Sequence, residues 1–149
     1  MRRMSGEVEI VMVEDNPNDA ELITRALRKH NLANRIVHLK DGAEALEFLL
    51  PPGDQVHQCD SGVPRVVLLD IKLPKIDGIE VLRMMKSDER TKDIPVVILT
   101  SSNEDRDIRE AYRLGVNSFV TKPIKFEEFA AVVAKLGIYW LMVNVPPVR

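Results

Sequence analysis

Cysteine is nearly absent from this chain. Among 149 residues there is one, Cys59, so no intrachain disulfide can form and a reducing cytoplasm is the expected compartment. A surplus of one charge is also missing: 21 Lys and Arg stand against 23 Asp and Glu, for a formal net charge of −2. A footprint on nucleic acid normally needs a basic excess, so direct DNA binding is not expected. No apolar run approaches the roughly 20 residues that cross a bilayer, so no membrane partner is expected either. The start, Met1-Arg2-Arg3-Met4-Ser5-Gly6-Glu7, leads into an acidic segment with no apolar stretch of the secretory kind. Glycine signatures are lacking too. The turn after the first apolar run is Asp15-Asn16-Pro17-Asn18-Asp19, which puts carboxylates where a dinucleotide pyrophosphate would sit. No Gly-x-Ser-x-Gly occurs, which excludes the common serine hydrolase elbow. What remains is an ordinary globular composition, 45% hydrophobic and 30% charged. The length fits one domain and leaves no room for a separate sensor, catalytic or output domain.

Four runs read as strands buried on both faces. They are Ile10-Val11-Met12-Val13, Val66-Val67-Leu68-Leu69, Val96-Val97-Ile98-Leu99 and, more weakly, Ser118-Phe119-Val120. A fifth, Ile36-Val37-His38-Leu39, is less uniform and suits an edge. Helical spacing separates them. Asn16 can cap a helix with Pro17 at its first position, followed by Ala20, Ile23 and Leu27 on one face. Residues 42–50, 79–86, 108–114 and 126–136 carry similar apolar stripes, and Gly115 suits a helix end. Alternating strands and helices predict a parallel sheet covered on both faces. Residues 51–64, rich in proline and glycine, predict a long surface loop.

In such a sheet, ligands bind beyond the carboxyl ends of the strands. Those ends carry Glu14-Asp15, Asp70, Thr100-Ser101 and Lys122-Pro123. Three gathered carboxylates repel one another unless a cation is present. Oxygen donors with room for water suit Mg²⁺ (or Mn²⁺). A carboxylate beside that ion can attack phosphorus, while Lys122 and Thr100 supply charge and a donor to the phosphoryl oxygens. A phosphatase of the haloacid dehalogenase type would need a second Asp two residues after Asp70, and that position is Lys72.

Taken jointly, Val13-Glu14-Asp15-Asn16, the stretch from Leu68 to Gly78, Leu99-Thr100-Ser101 and Phe119-Val120-Thr121-Lys122-Pro123 resemble the receiver domain of two-component response regulators. The resemblance covers residues 8–136, between an N-terminal tail of residues 1–7 and a C-terminal extension of residues 137–149. It implies a flavodoxin-like (βα)5 three-layer sandwich with strand order 2-1-3-4-5. It implies that Asp70 is the phosphoacceptor, with Glu14, Asp15, Asp70 and the backbone carbonyl of Lys72 holding Mg²⁺. Thr100 would bind the phosphoryl group, Lys122 would neutralise it, and Phe119 would be the switch aromatic unless it is a plain core residue. The implied function is a phosphoacceptor signalling protein rather than an enzyme. Its partners would be a sensor histidine kinase and a separate effector or histidine phosphotransfer protein. The alternative is a phosphotransfer shuttle or phosphate sink.

Three features stay open at this level. Lys72 and Ser102, two residues after Asp70 and Thr100, either border the phosphoryl group or form an exposed pair. His57-Gln58-Cys59 offers too few ligands for a structural zinc site. The tail holds Tyr139, Trp140, Leu141, Met142 and Val143, an apolar patch that suits a homodimer arm or folds back on its own domain. Together with the long loop before Asp70, the Trp140-Leu141 tail resembles response regulators paired with cyanobacterial and bacterial phytochrome kinases.

Overall fold

The computed structural model describes residues 9–32, 35–53 and 63–148. Its strands are β1 (Ile10–Val13), β2 (Ile36–Leu39), β3 (Val66–Leu69), β4 (Val96–Thr100) and β5 (Ser118–Thr121). Its helices are α1 (Pro17–Lys29), α2 (Gly42–Leu49), α3 (Gly78–Ser87), α4 (Asp105–Leu114) and α5 (Phe126–Ile138). A π-helical turn, Tyr139–Val143, continues α5. The strands form one parallel sheet in the order β2-β1-β3-β4-β5, the flavodoxin-like arrangement. The less uniform runs, β2 and β5, are the half-buried edges, and β1, β3 and β4, buried at every position, are the centre.

Alternation along each central strand feeds two cores. Val11, Val13, Val67, Leu69, Val96 and Ile98 point to one face, under α2, α3 and α4. Ile10, Met12, Val66, Leu68, Val97 and Leu99 point to the other, under α1 and α5. Local chemistry sets the helix starts. The Asn16 side chain accepts the amides of Asn18 and Asp19, with Pro17 next in line. Asp41 and Asp77 cap α2 and α3 in the same way. Gly115 ends α4 at φ 99°, where a side chain would be strained.

Two helix boundaries differ by more than one residue from the reading by spacing. The fourth helix begins at Asp105 rather than Ile108, because its first turn is acidic and shows no apolar stripe. The fifth does not stop at Leu136. It runs on through Gly137, whose missing side chain lets Leu27 and Leu32 approach: a Cβ there would lie 2.6 Å from Leu27 Cδ2. The extension is therefore continuous with the helix before it. Among the described residues no helix is long and apolar enough to cross a membrane. His57 and Cys59, the N-terminal tail of residues 1–7 and most of the loop of residues 51–64 lie outside the described residues.

Candidate functional site

Four of the five strands deliver a piece of chemistry to the same end of the sheet. Glu14 follows β1 and is buried, and Asp15 beside it is exposed. Asp70 follows β3 and is buried, while Thr100 closes β4 with none of its surface exposed. Lys122 follows β5, and its amide donates to the carbonyl of Thr100 at 2.7 Å, which locks the β5 end to the β4 end. The parallel register brings these groups level, as the strand-end reading expected.

The centre is a single ammonium. Lys122 Nζ lies 2.8 Å from Glu14 Oε1, 2.9 Å from Asp19 Oδ2 and 2.9 Å from Asp70 Oδ2. The other oxygen of Asp70 accepts the amide of Ile71 at 2.7 Å, so the carboxylate is aimed from both sides. Glu14 Oε2 accepts the Asn16 amide at 3.1 Å, and His38 Nε2 lies 2.7 Å from the Glu14 carbonyl oxygen. Burial is the largest influence on Glu14 and pushes its carboxyl up to about 7, against the pull of Lys122. Burial also works against the charged lysine. Its hydrogen bonds to Glu14, Asp19 and Asp70 outweigh that and hold the ammonium above its ordinary value.

Glu14, Asp15 and Asp70 each offer a carboxylate oxygen, and these atoms lie within 4.8 Å of one another. An oxygen-only set of this span, opening on a polar cleft of about 390 Å³ that Lys72 also lines, fits Mg²⁺ or Mn²⁺ with water completing the shell.

A close backbone approach supports Asp70 from below. A Cβ on Gly78 would lie 2.0 Å from the Asp70 carbonyl oxygen. Gly78→Ala must therefore push the first turn of α3 away from the Asp70 loop. We expect a loss of about 1–3 kcal/mol in urea unfolding, and an unchanged midpoint would contradict this packing.

The remaining sequence expectations divide. Thr100 Oγ1 accepts the Ser102 amide at 3.3 Å. Ser102 and Lys72 are both drawn to one carboxylate: Ser102 Oγ donates to Asp107 Oδ2 at 2.7 Å, and Lys72 Nζ lies 4.0 Å from the same oxygen. Phe119 is half-buried against the α2–α4 face, opposite Ile98 in the register. In the tail, Trp140 and Leu141 are buried in the α1–α5 core, and Arg65 donates to the Leu141 carbonyl at 2.8 Å. Those two side chains therefore pack on their own domain, one of the two readings that the sequence leaves open for the tail. Tyr139 and Val143 stay exposed.

Sequence reasoning missed Asp19 and Asp107. Asp19 had a usable signal, since a capped helix starting at Pro17 turns its first-turn acid toward the strand ends. Asp107 had none, because the start of its helix was not visible.

Comparison with known proteins agrees with this geometry. The family profile of the response regulator receiver domain matches residues 10–134. The chain is 44% identical over 139 residues to the probable methanogenesis regulatory protein FilR2 of Methanothrix harundinacea, covering 93% of this chain and 86% of that one. It is 35% identical to the response regulator Rcp1 of Synechocystis, covering 89% and 88%. The Mn²⁺-bound structure of Rcp1 superposes with a TM-score of 0.83, covering 95% of this chain and 99% of that one. The structure of the phosphorylated cyanobacterial phytochrome response regulator RcpA gives 0.86 at 36% identity, covering 95% and 99%.

Proposed function

The chain belongs to the response regulator receiver domain family, and from that premise we propose that Asp70 accepts a phosphoryl group from a sensor histidine kinase, in a Mg²⁺-dependent reaction, to regulate a separate effector. The observation that supports this most is the convergence of the Lys122 ammonium on Asp70 Oδ2, with Glu14 and Asp15 alongside.

In the transfer, a carboxylate oxygen of Asp70 forms a bond to phosphorus. The bond from phosphorus to the donor imidazole breaks, and its electron pair leaves with the ring nitrogen. Lys122 offers positive charge to the phosphoryl oxygens, and the Thr100 hydroxyl offers a hydrogen bond. Glu14, Asp15, Asp70 and the Lys72 carbonyl would hold the divalent cation, which when bound neutralises charge on the same oxygens. Thr100 is wholly buried, so reaching a phosphoryl group requires it to move. The half-buried Phe119 at the β5 edge would then fill the space it leaves. The two packings then differ in the face that β5 and its neighbouring helices present to a partner.

The likeness to the phytochrome response regulator RcpA supports a phytochrome-type histidine kinase as donor, and the near-absence of cysteine supports a cytoplasmic setting. The exposed Tyr139, Met142 and Val143 support an extension of residues 137–149 that serves a homodimer. A downstream effector fits better than a shuttle role, because the buried Thr100 and half-buried Phe119 give a conformational output that a phosphate sink does not need.

Metal dependence tests the chemistry. With a small-molecule phosphodonor, the wild-type chain is expected to gain one phosphoryl group in Mg²⁺ or Mn²⁺ and none in a chelator. Asp15→Asn should raise the metal concentration needed by about tenfold. Labelling that proceeds equally well in chelator would overturn the reading.

A further inference from the structure

We propose that Asp19 is a positioning residue for phosphoryl transfer: it holds the Lys122 ammonium while Asp70 is unmodified and releases it to the phosphoryl group. This rests on Asp70 being the phosphoacceptor. An ammonium has three protons, and three carboxylate oxygens stand within 2.9 Å of Lys122 Nζ, from Glu14, Asp19 and Asp70. Its donor capacity is already used. A new bond to a phosphoryl oxygen therefore requires an old bond to break.

The three partners are not equivalent. The Glu14 side chain is 3% exposed and that of Asp70 8%, against 28% for Asp19. Glu14 is so deeply buried that water cannot take the place of the ammonium beside it. Asp70 is itself the group being modified. Asp19, in the first turn of α1, lines both the polar cleft and a neighbouring groove of about 560 Å³ formed with Arg25, Pro123, Ile124 and Phe126. Water can take the place of the ammonium there. Asp19 is thus the cheapest of the three to release, and its charge stands where an anionic donor must enter. Removing that charge takes away a competitor for Lys122 and a source of repulsion together. As a first-turn acid Asp19 also favours the α1 terminus, but that contribution does not depend on Lys122.

The test is titration of the full chain with beryllofluoride and Mg²⁺, a stable mimic of the phosphoryl group on a carboxylate. Asp19→Asn is expected to bind it about three- to tenfold more tightly than wild type, with Asp19→Glu restoring the wild-type affinity. In a Lys122→Ala background the Asn substitution should bring a smaller gain, the part that comes from lost repulsion alone. Thermal unfolding of the metal-free protein gives a second reading. There the Asp19→Asn and Lys122→Ala losses are expected to be non-additive, since they remove one shared contact. Unchanged or weaker binding by Asp19→Asn, an equal gain without Lys122, or additive unfolding losses would each overturn the proposal. A wild-type chain that binds no beryllofluoride, with the unfolding cycle still non-additive, would instead overturn the reading of Asp70 as phosphoacceptor.

Discussion

In Mg²⁺ with a small-molecule phosphodonor, Asp70→Asn is expected to gain no phosphoryl group, while the wild-type chain gains one. The effect is complete rather than graded, because an amide oxygen cannot serve as the nucleophile. The substitution is also nearly isosteric. The amide oxygen can still accept the Ile71 N–H, which lies 2.7 Å from the present carboxylate. Lys122 keeps Glu14 and Asp19 as partners. One of three mutually repelling carboxylates is removed, so the variant should fold. Intact-mass measurement reads the label, and circular dichroism confirms the fold. Equal labelling of a folded Asp70→Asn chain would move the phosphoacceptor to another residue.

The second large effect concerns stability. Trp140→Ala is expected to cost about 3–5 kcal/mol, a fall of roughly 10 °C in Tm for a chain of this size. Trp140 is 8% exposed in the core shared by α1 and α5. Gly137, one turn earlier, admits Leu27 and Leu32 to the helix backbone, so the cavity left by the indole has rigid neighbours. The exposed members of the same turn should behave in the opposite way. Tyr139→Ser and Val143→Ser are expected to change stability by less than about 0.5 kcal/mol, yet to lower the mass measured by sedimentation if the extension joins two copies. A chain that is monomeric throughout would remove the homodimer from the functional reading. A Trp140→Ala variant as stable as wild type would show that the turn does not pack as described.

Where burial is two-sided, the sequence pattern speaks clearly. The three central strands are apolar along their buried run, so the polar residue that ends or follows each one stands out. Glu14, Asp70 and Thr100 are legible for that reason. Helix ends marked by polar residues are not. The acidic first turn of α4 shows no stripe, which hid its start and with it Asp107 and the pull that Asp107 exerts on Ser102 and Lys72. The tail was ambiguous for a related reason. Apolar residues fill Ile138 to Val143 without a gap, and an unbroken run cannot say which members face inward. The π-helical turn decides it by presenting two neighbours, Trp140 and Leu141, to the core together. Gly78 was legible as part of a turn, but its close approach to the Asp70 carbonyl depends on how α3 meets the sheet.

That same turn gives the protein an optical reporter. Trp140 is the only tryptophan in the chain, and its indole meets the Tyr139 ring edge-on at a centroid distance of 5.0 Å. Emission from the native protein therefore comes from one apolar site on the α1–α5 side of the sheet. Docking of the extension can be followed without a label, as a red shift when the indole meets water. Because α1 also carries Asp19, the same signal can be watched while Asp70 is modified on the far edge of the sheet.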